Sequence, residues 1–174
     1  MHIYVDESKA KAYLIVAVSV APGDAAGFRK RMVNLRMPRQ GHIHFVNERD
    51  SRRKMILDAL LEMGIKALVY SISGLNPIAA RAILLGALMD DLIDLGASTL
   101  IFERDDSALS SDERVLHRGL SKRNLKHDIE YLHLGKSQEP LLWIADAIAW
   151  SYARGGDYRR RARLLISHVR EVLV

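Results

Sequence analysis

The spacing of apolar and polar positions changes period repeatedly along the chain. Residues 2–6 and 11–20 are rich in β-branched residues and flank the polar turn Glu7-Ser8-Lys9-Ala10, a pattern that predicts a hairpin of two strands. A helix is expected from Pro22 and Asp24 to about Arg36, stopped before Pro38 and Gln40-Gly41. A short segment, His42-Ile43-His44-Phe45, follows; read as a strand, it places both histidines on one face. Met55, Ile56, Leu57, Leu60 and Leu61 recur at helical spacing from about Asp50, with Gly64 as a C-cap.

Residues 65–73 return to strand, and Asn76-Pro77 opens a helix that ends near Gly96. Thr99 to Glu103 is the next strand, followed by a polar helix from Ser110 to about Asn124 and a strand from Asp128 to Leu134. Ser137 is placed as the N-cap of a helix through Tyr152, and a last basic helix is expected over about residues 157–173, beyond the hinge Gly155-Gly156. Strands alternating with helices after an opening hairpin predict an α/β fold with a mixed sheet. The 174 residues suit one domain, 1–174.

In such folds ligands gather where strand ends open into a crevice, so the acids at those ends come first. Asp6 ends the first strand, with Glu7 beside it, and Glu103 ends the strand that precedes Arg104-Asp105-Asp106. Each could equally begin a turn. Asp146 is the larger physical anomaly. Its helix is apolar almost all round, and Leu142, Trp143, Ala149 and Trp150 share its face, so the carboxylate needs a cation, a donor or a proton. Glu139 lies nearly two helical turns earlier and can face the same cleft, or can serve as a first-turn acid. His42 and His44 are candidates for metal binding or acid–base work. Converging carboxylates suit octahedral Mg²⁺ or Mn²⁺.

Composition narrows the chemistry. The absence of cysteine excludes disulfides, thiolate metal sites and a cysteine nucleophile. Apolar runs are too short to span a membrane and the N-terminus reads as a strand rather than a signal peptide, so a cytoplasmic protein without membrane attachment is expected. The net charge of +5 favours polyanionic partners, nucleic acid foremost, and the basic residues cluster at Arg29 to Arg39 and at Arg159 to Arg163. Gly135-Lys136-Ser137 is excluded as a phosphate-binding loop, because Glu130 stands where that motif needs glycine.

Three segments together resemble the family catalogued as domain of unknown function 3800: Tyr4-Val5-Asp6-Glu7-Ser8, His42-Ile43-His44-Phe45, and Leu141 to Trp150 with its Ala145-Asp146 pair. The resemblance implies a ribonuclease H-like mixed sheet flanked by helices and a nuclease hydrolysing phosphodiester bonds with a carboxylate-held Mg²⁺ or Mn²⁺. It implies Asp6, Glu103 and Asp146 as metal ligands and catalytic acids, with His44 in support; Glu7, Asp105 and Glu139 stand as further candidates by their positions alone. Lys9, Ile43 and Trp143 depart from the family's usual Gly, Glu and Gln, which bears on substrate choice. Two alternatives stay open: a non-catalytic module binding nucleic acid or another partner on the same fold, and a hydrolase for a small phosphoester.

Overall fold

The computed structural model describes residues 1–173. Six strands form one mixed sheet, in the spatial order 130–134, 99–103, 2–8, 13–20, 66–72 and 166–171. The opening hairpin is β1 (His2–Ser8) and β2 (Tyr13–Val20), and β3 (Lys66–Ile72) continues antiparallel beside β2. On the other side β4 (Thr99–Glu103) runs parallel to β1, and β5 (Glu130–Leu134) runs parallel to β4.

Alternation along β1 divides its side chains between two cores. Tyr4 points to the face covered by α1 (Pro22–Asn34), α2 (Asp50–Glu62) and α5 (Leu142–Arg154), where Val16, Met32, Ile56, Trp143 and Ile148 are buried. Ile3 and Val5 point to the face covered by α3 (Pro77–Asp91) and α4 (Leu109–Lys122), with Leu84, Leu88 and Leu116. Helix α5 packs across β1 and β2 and buries nine of its thirteen residues, because it is apolar almost all round. As the Asn76-Pro77 signal predicts, the Asn76 side chain accepts a hydrogen bond from the Ala79 N–H at 3.0 Å and caps α3.

Three expectations are corrected. The basic helix placed over about residues 157–173 is α6, Gly156–Arg163, and stops there; Ile166–Glu171 is strand β6, parallel to β3 at the sheet edge. A bulge causes the misreading. Ala67 faces Ile166 but Leu68 faces His168, so Ser167 is the extra residue, and the inward-facing Ile166 and Val169 fall three apart, a helical spacing. The segment 42–45 is not a strand but a loop leading into a 3₁₀ turn, Phe45–Asn47, with Ile43 and Phe45 buried. Ser137 is not an N-cap, because α5 begins five residues later at Leu142. The Gly155-Gly156 corner joining α5 to α6 needs φ of +80° and +57°, a backbone that glycine adopts without strain.

The burial of α5 generates a test. Ile148→Ala, at a fully buried position, should cost about 2–5 kcal/mol in urea unfolding, whereas Ile78→Ala on the exposed side of α3 should stay within about 0.5 kcal/mol.

Candidate functional site

At the carboxyl ends of β1 and β4 the chain leaves the sheet in different directions, to β2 from one strand and to α4 from the other. This is where a crevice is expected in an open α/β sheet. Val5 pairs with Phe102, so Asp6 and Glu103, one residue further on, stand level on adjacent parallel strands. Both continue the alternation that directs Tyr4 and Ile101 toward α5. Helix α5 crosses that face and presents Asp146.

The three carboxylates meet at one ammonium. Lys136 Nζ lies 3.1 Å from Glu103, 3.4 Å from Asp146 and 3.6 Å from Asp6. Exposure is graded: the Asp6, Lys136 and Asp146 side chains retain 9%, 10% and 14%, while Glu103 retains 38% and forms the open side. A cleft of about 360 Å³ opens at these strand ends, lined by Asp6 and Glu103 together with Glu7, Arg81, Arg104, Asp105 and Asp106.

Asp146 is held by its neighbours. Its Oδ2 accepts the Phe45 backbone N–H at 3.0 Å and lies 3.3 Å from Nδ1 of the half-exposed His44. The loop 42–45 thus acts through its backbone as well as its histidine. His42 is exposed and makes no part of this arrangement. Asp6 Oδ1 accepts the Glu7 N–H at 2.7 Å, but Oδ2 is buried without a hydrogen-bond partner. Burial pushes the Asp6 carboxyl up to about 7; the Lys136 charge opposes this, and the Asp146 and Glu103 charges add to it. Burial by itself would lower the Lys136 ammonium, but the charges of Asp6, Asp146 and Glu103 outweigh burial and raise it.

The further candidates lie outside this cluster. Glu7 points to the opposite face of the sheet, where Arg81 and the Tyr13 hydroxyl engage it. Arg81 also forks onto Asp112 at 2.6 and 2.7 Å. Burial would raise Asp112, but its bonds to Arg81 and the nearness of His133, 3.7 Å away, hold it below the usual carboxylate range. Asp105 folds back on its own loop, accepting from the Ser107 N–H at 2.9 Å and the Ser107 hydroxyl at 2.6 Å. Glu139 does not face the cleft with Asp146. It precedes α5, is buried, and takes a two-pronged contact from Arg29 at 2.7–3.1 Å while accepting the Leu141 N–H.

Much of the basic sequence is likewise engaged within the chain. Arg29 holds Glu139, Arg36 bonds carbonyls of Val33 and Gly41, Arg159 bonds the Tyr152 carbonyl, and Arg160 and Arg161 pair with Asp157. The residue that the sequence left without a part is Lys136, considered only within a phosphate-loop motif. Its signal is positional: a lysine two residues beyond Leu134, which pairs with Glu103 where β5 and β4 end together.

Three carboxylates, one of them with a buried oxygen that no hydrogen bond satisfies, are the hard oxygen donors that a divalent cation takes. Among the described residues no three His, Asp or Glu side chains already converge as a cage for an ion, and the position between these carboxylates belongs to the Lys136 ammonium.

The fold is ribonuclease H-like. The chain is similar to a chain in the structure of the PCNA:RNase HII complex from Archaeoglobus fulgidus, with a TM-score of 0.58 over 94% of this chain and 77% of that one at 14% identity. No protein-family model matches the chain, and no curated protein matches it in sequence. No helix among the described residues is long and apolar enough to cross a membrane.

The raised Asp6 carboxyl fixes the sign of a pH dependence. Between its ordinary 3.8 and about 7 the folded protein holds a proton that the unfolded chain releases, so stability contributed by this group falls as pH rises through that window. Without added divalent cation, Tm should decline between about pH 4 and about pH 7, and Asp6→Asn should flatten the decline; a parallel decline in the variant would place its origin elsewhere.

Proposed function

We propose that the chain is a metal-dependent nuclease that hydrolyses phosphodiester bonds of nucleic acid. The observation that carries this reading is the meeting of Asp6, Glu103 and Asp146 at one cationic position, at parallel strand ends of a ribonuclease H-like sheet. The short motifs resembling the domain of unknown function 3800 family carry Asp6 and Asp146, and the resemblance extends to Glu103 as the acid of the central strand.

In this reading Asp6, Glu103 and Asp146 hold Mg²⁺ or Mn²⁺. When bound, the ion would lower the pKa of a coordinated water and stabilise charge on the leaving oxygen. The chain's own residues supply the geometry. Strand pairing between β1 and β4 sets Asp6 beside Glu103, and the Phe45 N–H and His44 fix the rotamer of Asp146. Partly exposed Glu103 leaves the side from which a phosphate can approach, and half-exposed His44 stands at the rim within reach of a proton. Asp6, deep and short of hydrogen bonds, gains most from a cation.

A second reading has a specific observation in its favour. If Lys136 is the permanent cation of this cluster, the acids are structural, and the protein is a non-catalytic module that binds nucleic acid or another partner.

The two readings separate in one set of measurements. Under the nuclease reading, millimolar Mg²⁺ or Mn²⁺ raises Tm, by the several degrees that about 100-fold saturation supplies. Labelled single- and double-stranded RNA and DNA are then cleaved in the presence of the ion, and Asp6→Asn and Asp146→Asn abolish both effects. A melt indifferent to both ions, with salt-sensitive oligonucleotide binding that survives Asp6→Asn, establishes the binding module instead.

A further inference from the structure

We infer that Lys136 is the residue that sets the cation affinity and selectivity of the three-carboxylate site: its ammonium and an incoming divalent cation compete for the same oxygens of Asp6, Glu103 and Asp146. The inference rests on the nuclease reading and goes beyond it, because it assigns a role to a residue that is not among the site's acids.

The lysine is built into the site. Its backbone carbonyl accepts the Trp143 indole N–H at 2.7 Å, which ties residue 136 to the first turn of the helix that carries Asp146. The preceding Gly135 N–H donates to Gln138 at 2.8 Å, closing the loop on itself. From that fixed origin the side chain runs inward until its ammonium stands within 3.1–3.6 Å of an oxygen from each of three separate elements. A surface lysine paying for its own rotamer order would seek one partner in solvent; this one is nine-tenths buried among three.

The ammonium nonetheless satisfies the acids poorly. It is 3.6 Å from Asp6, and the Asp6 Oδ2 remains buried without a hydrogen bond. A single positive charge with tetrahedral donors faces three carboxylates. A divalent cation brings twice the charge and accepts several oxygens at once, so it can supply what the ammonium leaves unmet.

Competition follows from the tether. A side chain attached within the site presents its charge at an effective concentration on the order of millimolar or more, whatever the surrounding salt. A free monovalent cation offers no more charge than the resident ammonium and must also give up water, so it cannot displace Lys136. A divalent cation can, at the cost of moving a buried lysine, and that cost sets the threshold concentration at which it binds. The lysine therefore excludes K⁺ and Na⁺ and weakens the site for Mg²⁺ and Mn²⁺ to a level set by the chain itself.

The test is calorimetric titration of Mn²⁺ into the full chain and into Lys136→Gln, with the melting temperature of both followed against KCl at constant ionic strength. The expected result is Mn²⁺ affinity raised on the order of tenfold or more in Lys136→Gln, and a stabilisation by K⁺ over a bulky organic cation that the wild type lacks. Mn²⁺ affinity equal to or below that of the wild type overturns the competition while leaving the nuclease reading in place. No Mn²⁺ binding by either protein overturns both. Binding only by Lys136→Gln supports the competition and makes the wild-type chain the non-catalytic module. Should Lys136→Gln not fold, the wild type still decides: the ¹⁵N-edited signal of the Lys136 ammonium must change with Mg²⁺ at the same midpoint as the Asp6 side-chain carboxyl ¹³C signal. An ammonium signal that holds still while the carboxyl titrates with Mg²⁺ overturns the proposal.

Discussion

The burial of α5 against the face of the sheet that carries Tyr4 and Val16 is the constraint on which the rest depends. A helix apolar almost all round has to be covered, and the sheet face on one side with α2 and α6 beside it covers α5. Once α5 is seated across β1 and β2, Asp146 in its middle is committed to the interior edge of the sheet. Its carboxylate must be compensated there, and the Phe45 N–H, His44 and Lys136 all converge on one of its oxygens.

The same constraint explains why the two faces of the sheet solve their charge problems differently. On the α3 and α4 face, Glu7 and Asp112 are matched by Arg81, whose planar fork meets Asp112 with two bonds and leaves both acids paired. On the α5 face a single lysine serves three acids and leaves one oxygen of Asp6 unmet. The first arrangement is fully paired. The second is undersatisfied in a cleft, the condition under which a polar cluster is expected to take a ligand rather than to stabilise the fold. Glu139 belongs with the first kind: Arg29 neutralises it and Tyr4 completes the group, so it anchors the segment that enters α5.

Local pattern was enough to recognise most elements. The hairpin, the Asn76-capped helix, the strand ending at Glu103 and the apolar helix around Asp146 each announce themselves through periodicity, β-branching or capping chemistry. Two readings failed where tertiary contacts overrode the local signal. The bulge at Ser167 gave a strand the spacing of a helix, and the alternation of His42, Ile43, His44 and Phe45 reported a loop with two buried anchors rather than a paired strand. Charge clusters were read correctly as composition but not as surface, since Arg29, Arg36, Arg159 and Arg161 have partners within the chain that lie far away in sequence or on the backbone.

For Asp6 and Asp146, residue type and position within an element were determined by the sequence alone: an acid at a strand end and an acid inside an apolar helix are local facts. What they face is not local. Asp6 and Glu103 become neighbours only through the parallel pairing of β1 with β4, ninety-odd residues apart, and Asp146 joins them only when α5 docks. Glu7, one residue from Asp6, is excluded by the two-residue alternation of the strand, and Glu139 by an arginine that no spacing could reveal. Lys136 entered the site for the same reason. Electrostatic partnership is decided by distances of a few ångströms, and those distances exist only once the hydrophobic burial of α5 has brought separate segments of the chain together.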